Sequence, residues 1–164
     1  MMHYTKTRVA GRFPMIDIQI PVLVPLATGA FLVALTLAIH ALAVLATVQL
    51  FRREKVSGRA GSSTLMDVSI VFRANGLAFI AHLVEICLWA KLYMICGEFR
   101  YFGTAIYHSA VNYSTLGYGD IVMSPSWRLL GPIEAANGAL MFGVSTAMIF
   151  AVIQGLVQIR YRDL

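Results

Sequence analysis

The amino-acid sequence predicts an all-α integral membrane protein: three helices that span the bilayer and one short helix that enters it without crossing. Three observations carry that expectation. Of 164 residues, 59% are apolar and only 13% charged, against roughly 45–50% and about 25% in soluble domains. No charged residue occurs from Ile18 to Phe51, a run of 34. A glycine-containing stretch, YSTLGYGD, interrupts the hydrophobic sequence at residues 113–120. The net charge of +5 lies mostly in segments flanking the apolar runs, so it reads as membrane orientation and not as nucleic-acid binding.

Residues 1–17, MMHYTKTRVAGRFPMID, are polar and basic, without periodicity. They fit a segment lying on the membrane surface or lacking fixed structure. The first span follows from Ile18 to Phe51, beginning near Pro21 or Pro25, where proline is tolerated. It exceeds the roughly 20 residues a span needs and is far longer than a signal-peptide core of about 7–15 residues. RREKVSGRAGSS is then a basic, glycine- and serine-rich loop. Residues 18–66 thus form one unit, a first helix with its loop, and 67–164 a second.

The second span runs from about Asp67 to Ile95. Arg73 and Lys91 lie 18 residues apart in it, which is roughly 27 Å and about five turns of helix. Each is placed at one membrane interface, where its head can reach the headgroups. Cys87 and Cys96, nine positions apart, point away from each other on a helix, which argues against an internal disulfide. TAIYHSAVNYST is an amphipathic helix too short to span. DIVMSPSWRLLGP turns the chain back, and Pro132 to Val157 forms the third span.

Non-helical backbone at membrane depth is tolerated only where protein covers it or where it lines a wet cavity. Gly117 and Gly119 free the chain for positive φ. Alternating them with Leu116 and Tyr118 turns successive carbonyl oxygens to one side, the ligand set a dehydrated cation requires.

Thr115 to Asp120, TLGYGD, resembles the selectivity filter of potassium channels. The resemblance covers roughly residues 70–157, as outer helix, pore helix, filter and inner helix. It is nearest to the small prokaryotic two-helix pore module related to two-pore-domain potassium channels. The likeness implies that Thr115, Leu116, Gly117 and Tyr118 supply carbonyls to successive K⁺ sites. Gly119 lets the chain leave the filter, and Asp120 caps the outer mouth. Leu116 departs from the family's usual valine or isoleucine, and its side chain is expected to pack behind the filter.

By the same likeness, His108 reaches the hydroxyl of Tyr118 and Tyr107 reaches Asp120, as springs behind the filter. A histidine at that place can titrate near neutral pH. Val111 stands where some bacterial channels carry a glutamate. The carboxyl end of the short helix, near Asn112 and Tyr113, aims its partial negative charge at the central cavity. On the inner helix Gly138 matches the family's hinge glycine. Ala139, Phe142, Thr146, Phe150 and Ile153 or Gln154 are the pore-lining candidates, with Phe150 as a constriction that gates by dewetting. Helix packing is the competing reading for each of these residues, since glycines permit close approach.

In this family the filter faces outward and the carboxyl terminus is cytoplasmic, in the cell (plasma or inner) membrane. Arg52, Arg53, Lys55, Arg59, Arg160 and Arg162 then lie inside, as the positive-inside rule asks. Three spans put Lys6, Arg8 and Arg12 outside, against it.

The two outer helices carry ionisable residues. His40 stands roughly 15 Å from Leu50 along its helix, and His82 roughly 13.5 Å from Arg73, which sets both near the midplane. Glu85 shares a face with His82, extended by Asn75, Ala78 and Trp89. Gly29, Val33, Thr36, His40, Ala43 and Thr47 mark a facing seam. An ionisable residue in a membrane helix is a functional-site candidate with a partner. His40, His82 and Glu85 are therefore expected to meet, either as a pH-sensing network tied to gating or as interhelical polar glue.

One chain supplies one filter strand and a closed K⁺ site uses four, so the expected assembly is a homotetramer in the lipid bilayer. The expected function is passive, selective conduction of K⁺. No enzyme activity, small-molecule substrate or cofactor is expected, only K⁺ ions in the filter. A weakly selective cation channel is the alternative, and a membrane protein binding haem between His40 and His82 a distant one. No voltage-sensing arginine repeat occurs, and the gating stimulus is left open.

Overall fold

The computed structural model describes residues 20–161, all of whose regular structure is helical. The basic residues Lys6, Arg8, Arg12 and Arg162 lie outside the described residues.

Four helices follow in order: α1 Leu23–Val56, α2 Thr64–Ile95, α3 Phe102–Tyr113 and α4 Leu130–Arg160. Three of them, α1, α2 and α4, are long and apolar enough to cross a membrane. Pro25 falls in the first turn of α1, where a missing N–H costs no helical bond. Ser63 caps α2, its hydroxyl accepting the Met66 N–H at 3.2 Å. Asp67, in that first turn, sits where the helix dipole favours an acid. At 12 residues, α3 is about 18 Å long, short of the hydrocarbon thickness of about 30 Å.

Helix α2 is the centre of the arrangement: α1, α3 and α4 all pack on it, α4 also packs on α1 and α3, and α1 and α3 do not pack on each other. Two apolar clusters hold the bundle. One gathers Leu32, Trp89, Tyr93, Tyr113, Met123, Leu130 and Met141. The other gathers Ala60, Ile70, Val152 and Leu156. Between Ile70 and Trp89 along α2 come His82 and Glu85, both buried. Phe31, Phe72 and Phe79 are 71, 77 and 62% exposed, an outward apolar surface that water would oppose and lipid accepts.

The seam read on α1 is the packed one: Gly29, Thr36, His40 and Thr47 are buried. Two other placements differ from expectation. Asn75 is exposed and bonds back to the Val71 carbonyl of its own helix at 2.9 Å, which satisfies its amide in apolar surroundings. Arg73 donates to Glu54 at 3.0 Å instead of reaching only for headgroups. Glu54 is buried in the last turn of α1 and also holds Arg59 at 2.6 Å. A buried carboxylate needs such partners. Cys87 and Cys96 are free thiols, as their spacing requires.

Candidate functional site

Helix α3 ends at Tyr113, and the chain from Ser114 to Asp120 leaves it as irregular backbone. The Val111 carbonyl accepts the N–H groups of Leu116 at 3.0 Å and Gly117 at 3.3 Å, folding the loop back onto the helix end. Val111 thus supports the loop through its backbone, with its side chain buried. Thr115, Gly117 and Gly119 have φ of 62°, 57° and 71°. Every second residue is therefore left-handed, a conformation strained for threonine and easy for glycine. All residues from Thr115 to Asp120 are exposed on the single chain.

At the far end of the loop the Tyr107 hydroxyl donates to Asp120 Oδ2 at 2.7 Å, and the Ile121 N–H donates to Oδ1 at 3.0 Å. The tyrosine hydroxyl first, and the backbone N–H with it, hold the Asp120 carboxyl below the usual carboxylate range. His108 departs from expectation: its Nε2 accepts from Asn112 at 2.9 Å. Tyr118, the partner read for it, is 65% exposed. The i,i+4 spacing within α3 brings Asn112 to the ring, whereas Tyr118 points away from its own chain. Leu116 is 58% exposed and so does not pack behind the loop of its own chain.

Gly138, read as the hinge glycine, lies on the packed face of α4. It is buried, and a Cβ there would lie 2.0 Å from the Tyr113 carbonyl oxygen. Its small size lets the end of α3 rest on the α4 backbone. Ala139, Phe142, Thr146, Phe150, Ile153 and Gln154 are exposed on a face of α4 that the chain itself leaves free. Phe142 is partly covered, its ring 4.8 Å from His82 and 5.5 Å from Tyr113.

Beneath the loop lies a buried set of five side chains. His40 Nδ1 is 3.0 Å from Glu85 Oε1. The Tyr113 hydroxyl donates to Glu85 Oε2 and is 3.0 Å from His82 Nδ1. Ser145 Oγ lies 3.0 Å from His82 Nε2 and 3.0 Å from His40 Nε2. The structure therefore brings His40, His82 and Glu85 together and adds Tyr113 and Ser145. Neither addition carried a sequence signal, because a tyrosine ending a helix and a serine within one are commonplace. The imidazole rings stand 5.0 Å apart at 38° with all four nitrogens hydrogen-bonded. That leaves no gap for a porphyrin, so the residues do not fit a haem.

A second buried acid, Glu134 of α4, takes hydrogen bonds from Tyr93 and Ser109. It ties α4 to α2 and α3 at full burial. Its signal was present in the sequence: an acid inside an apolar helix, the feature that marks Glu85.

A family model described as "Ion channel" matches residues 69–155, more than half of the chain. The matched stretch starts in α2, takes in α3 and the loop, and ends in the last turns of α4. No curated protein and no solved structure matches the chain.

Proposed function

The chain belongs to the ion channel family, and from that premise we propose that it forms a K⁺-selective pore. Four copies would bring four 115–119 strands around one axis. The carbonyls of Thr115, Leu116, Gly117 and Tyr118 replace the water shell of a passing K⁺ ion. Gly119 releases the chain outward, and four Asp120 carboxylates concentrate cations at the mouth. The α4 face of Ala139, Phe142, Thr146 and Phe150 lines the cavity below, with Phe150 as its constriction. Helix α3 is the re-entrant pore helix.

The observation that carries this reading is the left-handed backbone at Thr115, Gly117 and Gly119, on a loop exposed throughout its length. Backbone polar groups cannot stay unsatisfied in a bilayer, each costing several kcal/mol or about that order. Neighbouring copies and coordinated cations satisfy them together. On this reading the filter faces the outside of the plasma or inner membrane. Arg52, Arg53, Lys55, Arg59 and Arg160 then lie on the cytoplasmic side, in keeping with the positive-inside rule. Conduction down a gradient, not catalysis, is the activity.

The test is the reversal potential of purified protein in a planar bilayer with K⁺ on one side and Na⁺ on the other. A strongly K⁺-selective potential supports the proposal. A potential near zero with clear current means a weakly selective cation pore, the reading that the exposed Leu116, unbranched at Cβ, favours. No current at any pH or membrane tension would overturn both.

A further inference from the structure

The five buried side chains close a ring: His40 to Glu85, Glu85 to Tyr113, Tyr113 to His82, His82 to Ser145, and Ser145 back to His40. Four helices contribute, α1 through His40, α2 through His82 and Glu85, α3 through Tyr113 and α4 through Ser145. Each edge of such a ring holds one hydrogen. Tyr113 and Ser145 bring one each, two neutral imidazoles bring one each, and an ionised Glu85 brings none. Five edges therefore face four hydrogens.

With four, one edge stays open and the buried cluster carries an uncompensated negative charge, which a membrane interior penalises. With one proton more, every edge is made and the cluster is neutral, as carboxylate with imidazolium or as carboxylic acid with two neutral imidazoles. We infer that the ring is a binding site for a single proton, shared by five residues, whose release opens the ring and loosens α4 from the helix that carries the filter. The functional half of this inference rests on the channel reading of the preceding subsection.

Tyr113 makes the coupling direct. It is the last residue of α3, its hydroxyl sits in the ring, and its carbonyl rests on Gly138 of α4. The other titratable groups on the packed helices are few. Helix α4 carries Glu134, bonded to Tyr93 of α2 and Ser109 of α3. Helix α3 carries His108, bonded to Asn112, and Tyr107, bonded to Asp120. Along α2, Cys87 follows Glu85 by two residues, Lys91 lies six residues beyond Glu85 and Arg73 twelve before it, roughly 9 and 18 Å along the axis. Arg73 is already held by Glu54. His40 is the sole ionisable residue of α1 before Arg52.

Glu85→Gln supplies the decisive variant. A glutamine amide donates on one side and accepts on the other, so the five edges close without an added proton. The protein is placed in lipid vesicles and followed from about pH 5 to about pH 9 by nitrogen-15 spectra of the histidine side chains and by thermal melting. In the wild type, His40 and His82 should share one titration step, with a fall in melting temperature as the proton leaves. Glu85→Gln should lose both. K⁺ flux should rise across the same step in the wild type and show no step in the variant. Two independent histidine titrations in the wild type, or the same step in the variant, would overturn the ring. A melting temperature raised by added Zn²⁺ in the wild type and not in the variant would also overturn it, making the cluster a metal site. The spectra and melting curves need no ion flux, so failure of the ring and failure of the channel reading are told apart.

Discussion

From Thr115 to Asp120 every residue is exposed on the single chain, while a short way below, His40, Glu85 and Tyr113 are exposed by 1, 0 and 0%. The loop offers backbone groups and turns its side chains outward. The ring offers side chains, and its backbone is helical throughout. Both are polar structures in an apolar protein, and they differ in who satisfies them. The ring is closed within one chain and needs nothing more than a proton. The loop is left open on the single chain, and in the proposed pore other copies and an ion complete it. One region therefore serves folding of the single chain, and in the proposed pore the other serves assembly and conduction.

Replacing Gly117 by alanine should separate the two regions most sharply. Its φ of 57° penalises a Cβ by about 1–2 kcal/mol, a small loss of stability. Yet the displaced carbonyl should abolish K⁺ flux, measured in vesicles, with melting changed by only a few degrees. Tyr113→Phe reverses the pattern. It removes two edges of the ring and leaves Glu85 and His82 short of partners, a loss of about 1–3 kcal/mol visible in thermal melting before any flux is measured. A variant that lost flux with full stability would place Tyr113 with the loop instead.

Tyr107→Phe should act through charge at the mouth. The hydroxyl holds the Asp120 carboxyl low, so its hydrogen bond persists as pH falls and is lost only when Asp120 takes up its proton. Without Tyr107, that uptake begins at higher pH. External acid should therefore reduce current at a higher pH in the variant, with neutral-pH selectivity retained. The smallest effect is expected from Arg73→Ala. Its guanidinium is 43% exposed and Arg59 still pairs with Glu54, so the loss should stay under about 1 kcal/mol.

How much of this was legible in the sequence follows from where each signal resides. Charge-free runs and the glycine pair report membrane helices and loop directly, because composition and backbone freedom are local properties. His82 and Glu85, three residues apart on one helix, announced a shared face, and matched depth paired them with His40. Ser145 and Tyr113 were invisible because their roles depend on which helices touch, which no periodicity encodes. Gly138 shows the same limit. Hinge and close contact ask for the same residue, and only the approach of the Tyr113 carbonyl reveals the contact. Glu134 was legible as an acid inside an apolar helix, but its partners Tyr93 and Ser109 lie on other helices and only the packing names them.

The end of α4 is tied to the loop between α1 and α2. Arg160 reaches Asp67 at 2.8 Å and Thr64 at 3.1 Å, Asp67 takes the Gly61 N–H at 2.8 Å, and Gly61 sits against Ile159. A displacement of this end away from the bundle must break these bonds or carry the 57–63 loop with it. Through that loop the carboxyl end of α4 is coupled to α1 as well as to α2, so one short cluster of bonds joins all three long helices at this end of the bundle.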